Sequence, residues 1–484
     1  MPTPTSNGHA SRLQIQEPRT MSPLPPSSSS PIAFKEQQGR PPPAAHHQTI
    51  AGKLFRNLFK GLLFSQLTLI SLLVIVLTIR GLISASSHHF HPKKWYPPLL
   101  ASVAVSGVAS LAWKCIFIYN PSRAVKATFW LSPILTCSVG ILLVLIGSAV
   151  DAGIGSVFVL FAITQSLYGC WITPRFEYTD KILSLATSFP PARTTEVVCL
   201  SITVSVVYSG FLVTGIGGAT STRTNLDLLF ISVIMISLAW TMQVLKNVQQ
   251  VAISRARYVN FAHGEDMDAW DAFRITMKHL IGSICVGSTL VPIVVFIRGS
   301  IRSVNLMSGS SDEVMYSGVD CFSTIANKLI TLGNKWGFVH VGTYDKGFVE
   351  ASGDTWMKFR STSGLEKLVD SDLTSSFCFL SAVSVGAVSS LTAGVWMLLI
   401  HKDYALEVTL YAFIIGYFVG RVALAWLQAC VLAYYVAYSE DSQSVRFDGT
   451  IPHRIQRLQM LSAHRANREL EVGREREEDS YNNC

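Results

Sequence analysis

The stretch LAWTMQVLKNVQQVAISRARYV, residues 238–259, carries a row of side chains suited to recognition chemistry. Gln243, Asn247, Gln250 and Ser254 recur every three or four residues, so a helix places them on one face. Trp240 opens the row. Amides and hydroxyls both donate and accept hydrogen bonds. In apolar surroundings, an amide left unpaired costs about 1–3 kcal/mol. Such a face therefore either lines a solute pathway or pairs with neighbouring helices and water. Enzyme signatures do not occur: the sequence holds no HExxH, P-loop, GxSxG or Rossmann fingerprint. No catalytic residue and no cofactor is expected. The nine cysteines lack zinc spacing, so no metal site is expected either. The acidic run HGEDMDAWD, 263–271, reads as a solvated helix start, where carboxylates meet the positive end of the helix. HHFH at 88–91 reads as a short polar loop.

The elements that must position this row are membrane helices. The 484 residues are 49% hydrophobic and 14% charged, against about 25% charged in soluble proteins. Mean hydropathy is +0.36. An all-α, polytopic membrane protein is expected, and the net charge of +8 then belongs to cytoplasmic loops, not to nucleic-acid binding. Nine runs are apolar over the roughly 20 residues a span needs: 58–80, 97–119, 129–150, 153–173, 195–217, 226–246, 279–298, 377–400 and 404–436. Small residues recur one turn apart, as in Ser102/Ser106/Ser110, Gly386/Ser390/Gly394 and Gly416/Gly420, which lets helix backbones approach closely in lipid. Residues 1–52 are rich in Pro and Ser and read as a disordered cytoplasmic tail without a signal peptide. Residues 53–438 are expected to form the transmembrane domain, and 439–484 a charged cytoplasmic tail.

Lys and Arg near the span ends set the orientation. Lys53, Arg56 and Lys60 precede the first span and place the N-terminus in the cytoplasm. The loop assigned after the sixth span counts Lys246, Arg255 and Arg257 among its bases. Nine crossings would leave the Arg-rich tail outside. A tenth crossing or its equivalent is therefore expected at 319–342, with Lys328 and Lys335 turned towards protein or an aqueous cavity. That gives about ten transmembrane helices with both termini cytoplasmic. In the last span, Glu407 and Arg421 are about 21 Å apart along a helix, so each needs its own partner. Glu407 falls near the outer mouth, where an anion would concentrate a cationic solute. Arg421 is expected to meet a carboxylate or carbonyl.

Trp240 with Asn247-Val248 and Val251, then GSICVGSTLVPIVVF at 282–296 and NKWGFVHVGTYDKGFVEAS at 334–352, resembles the choline transporter-like family. The resemblance covers roughly 55–460 in order and topology. It marks Gly282, Ser283, Cys285, Gly287, Ser288, Gly347 and Phe348 as motif residues. Thr343, Tyr344 and Asp345 depart from the small residues commoner there. The first outside loop, about 84–96, is short, as in plant and fungal members. The resemblance implies a multi-pass carrier of choline or a related organic cation at the plasma membrane, or at an endomembrane. It implies contact with a small-molecule cation and with lipid, and leaves the oligomeric state open. A quaternary ammonium offers no hydrogen-bond donor and needs aromatic faces, for which Trp240 is the first candidate. A channel-like or lipid-moving protein of the same fold, or a membrane scaffold in trafficking, are the alternatives.

Overall fold

A computed structural model describes residues 50–84, 92–188, 190–220, 226–307, 328–370, 372–400, 404–444 and 447–460. The HHFH loop, residues 319–327 of the expected tenth crossing, the N-terminal tail through 49 and residues 461–484 lie outside the described residues.

Apolar periodicity sets the helices. They are α1 (Ile50–Ser84), α2 (Pro92–Tyr119), α3 (Pro121–Ile146), α4 (Ala149–Ile172), α5 (Phe176–Thr187), α6 (Thr194–Thr220), α7 (Asp227–His263), α8 (Ala269–Ile275) and α9 (Ile281–Met307). After them come α10, described over 328–332, α11 (Gly337–Tyr344), α12 (Phe348–Ser361), α13 (Leu365–Asp370), α14 (Thr374–Ile400), α15 (Ala405–Ala423), α16 (Ala425–Glu440) and α17, described over 450–460. Local chemistry fixes several ends. Asn120 and Ser148 cap α3 and α4 by accepting from Arg123 N and Asp151 N, both at 3.1 Å. Asp268, from the acidic run, accepts from Trp270 N at 3.1 Å and caps α8.

Nine of these helices, counted among the described residues and with contiguous pieces joined, are long and apolar enough to cross a membrane. The outer side chains of α1, among them Leu62, Leu69, Leu72 and Ile79, are at least half exposed. Such a surface suits lipid, not water. The molecule is a polytopic all-α membrane protein.

Three expectations change. The sixth span does not end at 246: α7 runs unbroken for 37 residues to His263, because Lys246 and Arg257 are buried against neighbouring helices instead of ending it in water. The final run, 404–436, is not one helix. It breaks at Leu424, and α16 is buried at every residue from Ala425 to Tyr438. The described part of the expected tenth crossing is not a continuous span. Asn334 interrupts it by receiving Gly337 N at 2.9 Å and donating Nδ2 to Ser352 O at 2.8 Å, so the chain turns between α10 and α11.

α7 lies at the centre and packs against α6, α9, α11, α15 and α16. The small-residue rows do the close packing elsewhere. Gly416 of α15 sits on Ser389 and Gly386 of α14, and Gly420 sits on Ala382 and Val385. The start of the C-terminal segment also packs inwards. Phe447 meets Tyr434 edge-on at 5.4 Å, and the Arg454 guanidinium lies 5.0 Å from the Tyr178 ring centroid.

Candidate functional site

The row on α7 faces protein, and its members divide by partner. Asn247 is fully buried and donates Nδ2 to Ser288 Oγ at 2.8 Å, while its Oδ1 has no protein partner. Trp240 Nε1 donates to Thr289 Oγ1 at 3.2 Å. Gln243 is half-buried. Ser254 Oγ turns back to Val251 O at 3.2 Å. Gln250 and its neighbour Gln249 are both buried, and among the described residues neither amide has a hydrogen-bond partner on either atom. Five amide atoms within one turn of α7 are therefore unpaired among the described residues. Buried polar groups are nearly always satisfied, so such a concentration points to a place where water or a solute supplies the bonds.

The motif residues build the wall behind this row. Ser288 holds Asn247, and Ser283 Oγ is buried without a partner. Cys285 is core. Gly282 lets α9 approach α1 so closely that a Cβ there would lie 2.4 Å from Arg56 O. At Gly287 a Cβ would lie 2.6 Å from the Phe338 and Phe348 rings, which pack at 4.8 Å between centroids. Gly347 precedes Phe348 as the N-cap of α12, in open space. Trp240 and Asn247 are thus brought together with α9 and, across Gly287, with Phe348, while Gln250 lies buried one turn further along α7. Glu407 is not among them: it stands exposed on the first turn of α15, with Asp151 of α4 as its charged neighbour.

Two charged groupings were not foreseen. Lys246, counted as a loop residue from sequence, is 7% exposed on α7. It lies within electrostatic reach of Arg421 on α15, Lys335 between α10 and α11, and Cys378 on α14. Arg421 has neither the carboxylate nor the carbonyl partner expected of it among the described residues. α15 ends beside α7, and the guanidinium lies within electrostatic reach of Lys246 and Cys378. Lys335 Nζ donates to Ser375 Oγ, which also receives Gln428 Nε2 at 3.1 Å. Lys335 lies 4.8 Å from the Trp336 ring centroid. Among the described residues the carboxylate of Asp372 joins them; it accepts from Thr374 Oγ1 at 2.8 Å at the start of α14. Burial pushes the Asp372 carboxyl up, against the pull of Lys335 and its bonds to Thr374.

The second grouping surrounds Glu440, the last residue of α16. His340 Nε2 lies 3.0 Å from Oε1, and Lys358 Nζ bonds the same oxygen. Oε2 accepts from Tyr344 at 2.8 Å and from Tyr258. Burial favours the neutral acid, but the bonds from His340, Lys358 and Tyr258 overcome it and hold the carboxyl down at about 2. Tyr344, one of the departures noted in the sequence, thus has a defined task. A lone glutamate after an apolar run was the only sequence signal for this cluster.

The bundle, with helices broken at Asn334 and Leu424 and unpaired amides in its interior, is that of a polytopic all-α membrane protein. The profile of the family described as plasma-membrane choline transporter matches residues 183–443, and the chain belongs to this choline transporter-like family. The chain is 23% identical to Protein PNS1 of Mycosarcoma maydis over 238 residues, 46% of this chain and 45% of that one. It is 26% identical to Protein pns1 of Aspergillus fumigatus over 182 residues, 36% of this chain and 34% of that one. The matched part thus spans less than half the length of either relative.

Proposed function

We propose that the protein is a carrier, not an enzyme, that moves choline or a related small organic cation across the plasma membrane. The supporting observation is the set of buried amides on Asn247, Gln249 and Gln250 left unpaired among the described residues, beside the motif residue Ser288 that holds Asn247. Trp240, Gln243, Asn247, Gln250 and Ser254 are the pathway candidates, and Glu407 is the candidate for gathering cations at the entrance. Labelled choline should accumulate saturably in proteoliposomes holding the purified chain, with unlabelled choline competing. Flux linear in concentration, or scrambling of lipid, would replace the carrier with a channel-like or lipid-moving protein. Asn247→Leu should lower uptake several-fold with little loss of abundance, since Ser288 keeps its bond to Ile284 O. Equal loss of both would reduce the Asn247–Ser288 bond to structural glue.

The same reading puts both termini in the cytoplasm, supported by the bases beside the first span and in the C-terminal segment. A tag fused after residue 484 should label only once cells are permeabilised; labelling of intact cells reverses the orientation.

A further inference from the structure

Lys114 stands on α2, five residues before the helix ends at Tyr119 and so about 7.5 Å inside the end of a membrane-spanning helix. A lysine at that depth ordinarily runs its stem along the helix and leaves its ammonium in water. Lys114 does not: it is 3% exposed. Its hydrogen bond among the described residues goes to Thr195 O at 3.4 Å, long for an N–H donor, and it forms no ion pair there. An ammonium has three N–H groups to donate, so two are unused. A buried charge without an anion is costly.

Lys114 lines a cavity of about 770 Å³ between α2, α5, the start of α6 and α16. That volume suits a small-molecule site. A second buried donor lines the same cavity: Trp426, 3% exposed at the start of α16, has no acceptor for Nε1 among the described residues. A buried indole N–H usually finds a partner. The carboxylate among the lining residues, Glu196, is already taken, accepting from Arg193 at 2.7 Å on the exposed rim. The buried part of the cavity therefore offers N–H donors and a positive charge, and the group that complements both is an oxyanion. The setting is that of a lipid headgroup. The span of α2 ends at the cavity and the span of α6 begins there. Ile118, another lining residue, is 57% exposed on the outer face of α2, so the cavity opens towards lipid.

We infer that this cavity binds a phosphate ester, with Lys114 Nζ and Trp426 Nε1 donating to its phosphate oxygens. A membrane lipid and a soluble phosphate ester share that chemistry. The site is separate from the cargo pathway: none of Trp240, Gln243, Asn247, Gln250 and Ser254 lines the cavity, so the inference stands without the carrier reading. Trp426 already meets Phe117 of α2 edge-on at 6.1 Å. A phosphate held by Lys114 and Trp426 ties α16 to α2 at the same place, so occupancy should stabilise the fold.

Titration of the purified full chain in detergent tests this, with dioctanoyl phosphatidate, dioctanoylglycerol and glycerol 3-phosphate as probes. One of the two phosphate probes should bind about tenfold more tightly than dioctanoylglycerol, the scale of one charge-assisted hydrogen bond, and raise the unfolding midpoint. Binding of phosphatidate alone assigns the site to lipid; glycerol 3-phosphate binding as tightly assigns it to soluble phosphate esters. Dioctanoylglycerol binding as tightly as both phosphate probes, or no binding by any of the three, overturns the inference, and that comparison needs no variant. Lys114→Gln should weaken phosphate binding about tenfold, and Lys114→Arg should keep most of it. Trp426→Phe keeps a ring against Phe117 but removes the Nε1 donor, and should weaken binding a few-fold. Arg123, an exposed base at the start of α3, supplies the control. A loss in Arg123→Gln equal to that in Lys114→Gln would place the affinity on general surface charge and remove the cavity as its site.

Discussion

Glu440→Gln should cost the protein about 3 kcal/mol of stability, read from thermal or denaturant unfolding in detergent at neutral pH. The carboxylate ties the end of α16 to α7 through Tyr258, to α11 through His340 and Tyr344, and to α12 through Lys358. Its side chain is 15% exposed and His340 2%, so solvent screens that part of the cluster little, while Lys358, 40% exposed, contributes less. The bonds move the carboxyl from its ordinary 4.5 to about 2, a difference worth about 3 kcal/mol. The sign follows from the direction. A depressed carboxyl binds its proton less readily folded than unfolded, so its contribution is complete above about pH 4.5 and is lost as pH falls towards about 2. The unaltered protein should therefore lose stability across that window, and the Glu440→Gln protein should lose less. Tyr344→Phe removes one of four partners and should cost about 1 kcal/mol. Parallel acid profiles for the Glu440→Gln and unaltered proteins would show that the cluster is not what holds α16 in place.

Much of the bundle was legible in the sequence because lipid imposes a simple rule. Long apolar runs become helices, and eight of the nine runs have matching helices with shifted ends. The exception, 404–436, shows what hydropathy misses. Leu424 is as apolar as its neighbours, so nothing in a window average marks the break between α15 and α16. The same blindness placed Lys246 in a loop. A basic residue at the edge of an apolar run reads as the start of water, but here α7 continues between buried partners and takes the lysine inside. Asn334 could have been found: an Asn and Gly three residues apart within a polar, Trp-containing segment is a turn signal. For the site, spacing alone found the Asn247 face and the family resemblance found its wall at Gly287 and Ser288. Gln249 escaped because it lies off the chosen face, and Glu440 because its four partners come from distant parts of the chain.

The α14–α15 seam gives the other large effect. Gly386 and Gly416 face each other across two helices whose backbones nearly touch. A Cβ on Gly386 would lie 2.8 Å from Phe413 O and 3.1 Å from Tyr417 N, and one on Gly416 would lie 3.0 Å from Gly386 Cα. These are backbone atoms, which cannot turn aside as a side chain does; α15 would have to move as a body. Moving it would pull Gly420 off Ala382 and Arg421 away from Lys246, so the damage would spread to the interior cluster. In lipid, where apolar surface is not penalised for facing outwards, this close contact is what keeps the pair together. Gly386→Val should therefore cost more than about 3 kcal/mol, seen as lost monodisperse yield and a lower unfolding midpoint. Ser390→Ala, one turn further along, removes only the bond to Thr409 O at 2.9 Å and should cost about 1 kcal/mol. Gly347→Ala sets the baseline, because nothing lies within 4 Å of its Cβ and its φ of −62° suits any residue. If Gly386→Val unfolds like Gly347→Ala, the two helices have room between them, and the seam does not fix the position of Arg421.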